Sequence, residues 1–192
     1  MIDKAFDFLK KEIYGYLARI PELNVKNQEV VRVSSLLKLN GETDLPSNVV
    51  GLTLVSVEEE RVLKCQTTAV VDEAGRVSHV NPDLKLNIYM LVTANFANYP
   101  TALEHLSAVI RFFQAKNVFT SKNSPLLPDS VAKLVAELYT LSFEQQNHLW
   151  GALGTKYMPS VLYRIRLLAI QEGLRSDDQV PAMVINFESK GI

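Results

Sequence analysis

Apolar residues at spacings of three and four open the chain. Ile2, Phe6, Leu9, Ile13, Leu17 and Ile20 form one stripe over residues 1–20, the pattern of an amphipathic helix. Pro21 ends that helix by disfavouring helical geometry at Ile20. Residues 29–39 turn β-branched and leucine-rich, and an Asn-Gly, Asp and Pro series follows, predicting a strand and then a loop. Residues 48–60 predict a second strand running into Glu58, Glu59 and Glu60. Residues 61–83 hold a short apolar run, then Asp72 to Arg76 and Asn81-Pro82, and read as a hairpin-like excursion. The clearest period of two lies at 84–93. Leu84, Leu86, Ile88, Met90 and Val92 alternate there with Lys85, Asn87, Tyr89, Leu91 and Thr93, which predicts a strand with at least one buried face.

A second helix is predicted from Asn98-Tyr99-Pro100-Thr101, where a polar cap and an early proline suit the first turn. Its stripe of Leu103, Leu106, Ile110 and Phe113 is expected to pack on the sheet. Residues 131–140 are ambiguous: Ala, Glu, Lys and Leu favour helix, yet Ala132, Leu134, Ala136 and Leu138 alternate with their neighbours as in a strand. Ser142-Phe143-Glu144-Gln145 has the form of a capping box, so a short helix through Leu149, Trp150 and Leu153 is expected to stop at Gly151 or Gly154. After a turn at Met158-Pro159-Ser160, residues 161–170 alternate again. Val161, Tyr163, Ile165, Leu167 and Ala169 share one face, and Leu162, Arg164, Arg166, Leu168 and Ile170 the other.

No repeat, linker or low-complexity tract interrupts this series. The fold expected is α/β of the α+β kind: a single domain whose central mixed β-sheet is packed by an N-terminal helix, a long middle helix and a short Trp-containing helix. The domain is placed at 1–175. Residues 176–192 form a C-terminal tail that starts polar and regains an apolar run at 182–187, suited to an edge strand or a partner-docking segment.

Composition narrows the function more than the fold. At 192 residues and 47 % hydrophobic content, one soluble domain can bury roughly 70 % of its unfolded surface without staples. Net charge is −1 for the whole, −2 over 1–96 and +1 over 97–192, so no half carries the clustered positive field that nucleic acid requires. Cys65 is the only cysteine, which excludes an internal disulfide, a CxxC redox pair and a Cys-rich zinc site. His79, His105 and His148 show no metal-ligand spacing, and neither phosphate-binding glycine loops nor a GxSxG elbow occurs. Cys65 with His79 is the sole foothold for nucleophilic catalysis. No window approaches the ~20 apolar residues of a membrane span, and the charged N-terminus lacks a signal-peptide core. The expectation is a cytoplasmic protein with no cofactor, no metal and no catalytic residues.

Several segments carry a resemblance. They are Asn81-Pro82-Asp83 leading into the 84–91 strand, Phe112-Phe113-Gln114, Val118-Phe119-Thr120, Leu149-Trp150-Gly151-Ala152-Leu153-Gly154 and, most distinctively, Lys156-Tyr157-Met158-Pro159-Ser160-Val161 followed by Leu162-Tyr163-Arg164-Ile165-Arg166. The pattern resembles the tail-terminator, or cap, family of extracellular contractile injection systems, the phage-tail-like particles of the antifeeding-prophage and virulence-cassette type. The resemblance implies a structural subunit that forms a ring, a hexamer, at the baseplate-distal end of the tail. There it stops inner-tube polymerisation and joins the sheath. The implied partners are other copies of the chain, sheath protein and inner tube protein. The chain would be cytoplasmic during assembly and then part of the particle. Family precedent also makes 131–140 a strand.

Aromatic and Arg residues anchor interfaces of this kind. Trp150, Tyr157, Pro159, Tyr163, Arg164 and Arg166 are therefore the partner-contact candidates. A baseplate or sheath-associated adaptor is the alternative reading. A small ligand-binding domain or enzyme using Cys65 and His79 is the third.

Overall fold

The computed structural model describes residues 1–25, 27–38, 40–60, 69–71, 77–79 and 84–169, with the backbone alone at Gln28, 69–71 and 77–79. The Cys65 reading and the 176–192 tail lie outside the described residues, and of His79 only the backbone lies within them.

The opening stripe forms α1 (Ile2–Leu17), which ends before a 3-10 turn at Pro21–Leu23. Phe6, Leu9, Ile13 and Leu17 are buried as the spacing predicts, and Phe8, outside that stripe, is buried with them. The strand expected over 29–39 shortens to β1 (Val31–Val33). The Ser34 hydroxyl donates to the Ser35 carbonyl at 2.6 Å and that of Ser35 to the Leu37 carbonyl at 2.7 Å. Such local bonds turn the backbone away from a ladder.

β2 (Val49–Glu59) and the hairpin pair β3 (Ala69–Val71) and β4 (Val77–His79) follow. The period-two run becomes β5 (Leu84–Asn95), and α2 (Tyr99–Ala115) starts at the predicted Asn98, although the Asn98 side chain makes no capping bond. β6 (Val118–Thr120) pairs with β7 (Val131–Tyr139), so the ambiguous segment is a strand. The capping box opens α3 (Phe143–Leu153), and β8 (Ser160–Ala169) completes the order.

Six of these strands form one mixed sheet in the order β1-β2-β5-β8-β7-β6. Only β1 and β2 run parallel; the other pairs are antiparallel. The sheet curls, because α1 packs against β1 at one edge while its Phe8 ring meets Phe119 of β6, at the other edge, edge-on at 5.5 Å. α1 and α2 together fill this inner face, and the larger core sits there with Val31, Leu52, Met90, Phe112, Leu134 and Ile165. Lys116 at the end of α2 closes the seam, pairing with Glu12 at 2.8 Å and lying 5.0 Å from the Phe119 ring centre.

α2 packs on a different stripe from the one its large aliphatics predict. Ala102, His105, Ala108, Val109, Phe112 and Phe113 are buried and Leu106 packs part-buried on the same core, so Leu106 and Phe113 stand as expected. Leu103 and Ile110 are 42 % and 36 % exposed. Small residues at Ala102 and Ala108 let the helix approach α1 and the sheet, and the two Phe rings fill the wider space beyond.

Candidate functional site

Among the described residues, the opposite face of the sheet is covered at one end only. α3 lies there, and a second, smaller core joins Leu36, Leu45, Val49, Leu91, Trp150 and Leu162, with Leu149, Leu153, Met158 and Tyr139 packed around it. The sequence prepares this cover locally. The Ser142 hydroxyl accepts the Gln145 N–H at 3.2 Å, and the Gln145 side chain accepts the Ser142 N–H at 3.0 Å. Gly154 ends α3 in the left-handed conformation at φ 67 that glycine adopts without a Cβ penalty. On β2, Gly51 leaves room for Leu45: a Cβ there would lie 2.8 Å from a Leu45 methyl and 2.7 Å from Thr93 Oγ1.

Trp150 is 6 % exposed and packs edge-on to Tyr157, ring centres 5.5 Å apart. Its indole N–H is buried without an acceptor among the described residues. Tyr157 itself is 61 % exposed and forms a lid over the tryptophan. Pro159 fixes the entry to β8 and its carbonyl accepts the Ala94 N–H at 2.9 Å, extending the β5 ladder by one bond. Phe143, at the first helical position of α3, is 91 % exposed. It was not among the candidates, and the capping box that precedes it is the signal that could have placed it at an open helix start.

Beyond α3 the same face is a polar strip. β8 sets Arg164 opposite Tyr89 of β5 and Glu137 of β7. Arg164 donates to Glu137 Oε2 from Nε at 3.2 Å and from Nη2 at 2.7 Å, and Arg166 donates to Glu137 Oε1. Tyr89 donates to Glu58 at 3.1 Å and Asn87 to Glu60 at 3.1 Å. Burial pushes the Glu137 carboxyl upward, but the bonds and charges of Arg164 and Arg166 outweigh it and hold that carboxyl below its usual range. Burial, reinforced by the Glu58 carboxylate, raises the Tyr89 phenol.

The six candidates thus divide. Trp150, Tyr157 and Pro159 gather around the end of α3, and Arg164 and Arg166 form a second group centred on Glu137. Tyr163 faces the other way, 2 % exposed and packed on Phe113 at 4.4 Å, with burial pushing its phenol up to about 12. Glu137 and Tyr89 were missed because their roles depend on register. His105 is buried with its ring stacked on Phe96, and His148 is exposed on α3. Among the described residues no group of three His, Cys, Asp or Glu side chains is placed to hold a metal, and no helix is long and apolar enough to cross a membrane.

Comparison with known proteins adds three findings. The sequence matches the Pvc16 N-terminal domain family over residues 7–182. The fold is similar to that of the sheath/tube terminator of an extracellular contractile injection system, PVC, solved by cryo-EM in the extended state. The TM-score is 0.64 at 15 % identity, covering 100 % of this chain and 64 % of that one. It is also similar to the tube-terminating cap of the anti-feeding prophage, with a TM-score of 0.53 at 12 % identity, covering 90 % of this chain and 56 % of that one. The chain therefore spans less than two thirds of either protein, and at these identities the likeness is one of fold. Comparison with curated protein sequences returns no match.

Proposed function

The chain belongs to the Pvc16 N-terminal domain family, and from that membership we propose that it caps the baseplate-distal end of a contractile, phage-tail-like injection particle. In this role it ends inner-tube polymerisation and joins the sheath. The observation that carries the reading is the match of the whole chain to a sheath/tube terminator.

A terminator must offer one face to the polymer and another that accepts no further disc. A ring, here a hexamer, arises from heterologous contacts that close on themselves. The face of the sheet that carries α3 supplies suitable chemistry: the Trp150, Tyr157 and Pro159 corner as an aromatic anchor, and the Arg164 and Arg166 strip as a charged rim. Tyr163 supports that strip from beneath. Assembly takes place in the cytoplasm, with no part for nucleic acid or membrane.

The deciding experiment is imaging of particles from a strain lacking the gene. Tails of uncontrolled length with an open distal end are expected. Absence of particles altogether would overturn capping in favour of a baseplate or sheath-associated adaptor. Native mass and negative-stain imaging of the purified chain, alone and with sheath or tube protein, test the ring; a strict monomer that binds neither would overturn it. Arg166→Gln, at a side chain 48 % exposed, should weaken attachment in a salt-sensitive manner.

A further inference from the structure

The corner at the end of α3 is short of one hydrogen bond. Trp150 is 6 % exposed, and its buried indole Nε1 finds no acceptor among the described residues. A buried donor left unpaired is costly, so the corner gains from a carbonyl that reaches it. The ring standing edge-on to the indole is Tyr157, 61 % exposed. Such a ring can move aside without opening either core.

A complementary feature lies at the other end of the same strands, in the turn that joins β6 to β7. Leu126 stands at its tip, 61 % exposed, while Leu127 beside it is buried and anchors the turn. The turn is held rigid from below. The Asn123 side chain accepts the Thr120 N–H and donates to the Val118 carbonyl, both at 2.9 Å, and the Leu127 N–H donates to the Ser124 carbonyl at 2.9 Å. The carbonyls of Pro125 and Leu126 accept no bond among the described residues. A preorganised tip loses little freedom on docking.

Charge matches the two features to each other. Asp129 is the one acidic residue of the turn, with Lys122 on its other flank, and Lys156 adjoins Tyr157 at the corner. Asp129 and Lys156 are both exposed, and neither is in an ion pair among the described residues. Turn and corner sit at opposite ends of β7 and β8, where Val131 pairs with Ala169 and Tyr139 with Leu162. One molecule therefore cannot join its own pair, whereas two copies can, head to tail. We propose that the Leu126 turn of one copy seats in the Trp150 corner of the next, displacing Tyr157, with a turn carbonyl accepting the indole N–H and Asp129 meeting Lys156. The contact uses two different patches, the heterologous kind that closes into a ring, and it rests on the ring proposed above.

The test is sedimentation of the full chain over a concentration series, with the fluorescence of Trp150, the single tryptophan, read on the same samples. Mass and tryptophan emission are expected to change together. Leu126→Ser should weaken association roughly ten-fold. Asp129→Lys and Lys156→Asp should each weaken it about three-fold, and both exchanges in one chain should regain most of that loss. All three positions are exposed, so the variants should keep the thermal midpoint of the parent. Association unchanged in Leu126→Ser, a constant Trp150 emission, or no recovery in the double exchange would overturn this contact and leave the ring standing. A parent chain that stays monomeric throughout would overturn the contact, and one that also joins neither sheath nor tube protein would overturn the ring with it.

Discussion

The two faces of the sheet do different work. The inner face is sealed by α1 and α2 from edge to edge, with Ile13, Leu17, Val31, Leu52, Phe119 and Leu134 at 0 % exposure. The outer face has a small core under α3 and then a strip in which Arg164 and Arg166 share one carboxylate. Stability therefore resides on the inner face. The outer face carries an exposed tyrosine lid and charges at partial exposure. The contrast also separates the recognisable 149–166 segment into buried residues such as Trp150 and Tyr163 and exposed or half-exposed ones such as Tyr157 and Arg166.

The sharpest way to break this contrast is to empty the inner core. Phe119→Ala removes a ring that packs on Phe8 and Phe112 and should cost about 3–5 kcal/mol, read from urea unfolding. A loss near that of an outer-face substitution would erase the distinction.

Next in size is the alkaline limb set by Tyr163. Burial raises its phenol from 10.0 to about 12, so the neutral form is favoured in the folded state. Its contribution is complete below pH 10 and is lost as pH rises toward 12, on the order of 2 kcal/mol. Tyr163→Phe should flatten stability over that window.

Trp150→Phe should move stability by only about 1 kcal/mol in either direction, since the smaller ring leaves a void while the orphan indole donor disappears. A larger loss of capping activity than of stability would mark the Trp150 and Tyr157 pair as a contact.

The smallest effect is expected for Glu137→Gln, roughly 0.5–1 kcal/mol at neutral pH after allowing for the partial exposure of both arginines. The carboxyl is depressed in the folded state, so its stabilisation is present above about pH 4.5 and lost as pH falls through the folded value. Parent and variant should therefore converge in acid.

Much of this architecture was legible beforehand, and the misses share a cause. The Ser142 capping box, the Pro21 stop and the period of two in β5 and β8 are written within four residues of the place they act. Residues 131–140 carried helix propensity and strand alternation together; pairing with β6 on one side and β8 on the other decides for strand. The α2 stripe was misassigned because hydrophobicity favours Leu103 and Ile110, whereas the fit against α1 and the sheet favours Ala102, Ala108 and Phe112.

By itself the sequence determined where the three helices and the strands β5 and β8 begin and which residues alternate, because caps, turns and periodicity are local physics. Tertiary structure alone decided that α1 spans both edges of a curled sheet. It alone brought Glu137 to two arginines 27 and 29 positions away. Those outcomes depend on strand register and helix placement, which no local pattern encodes.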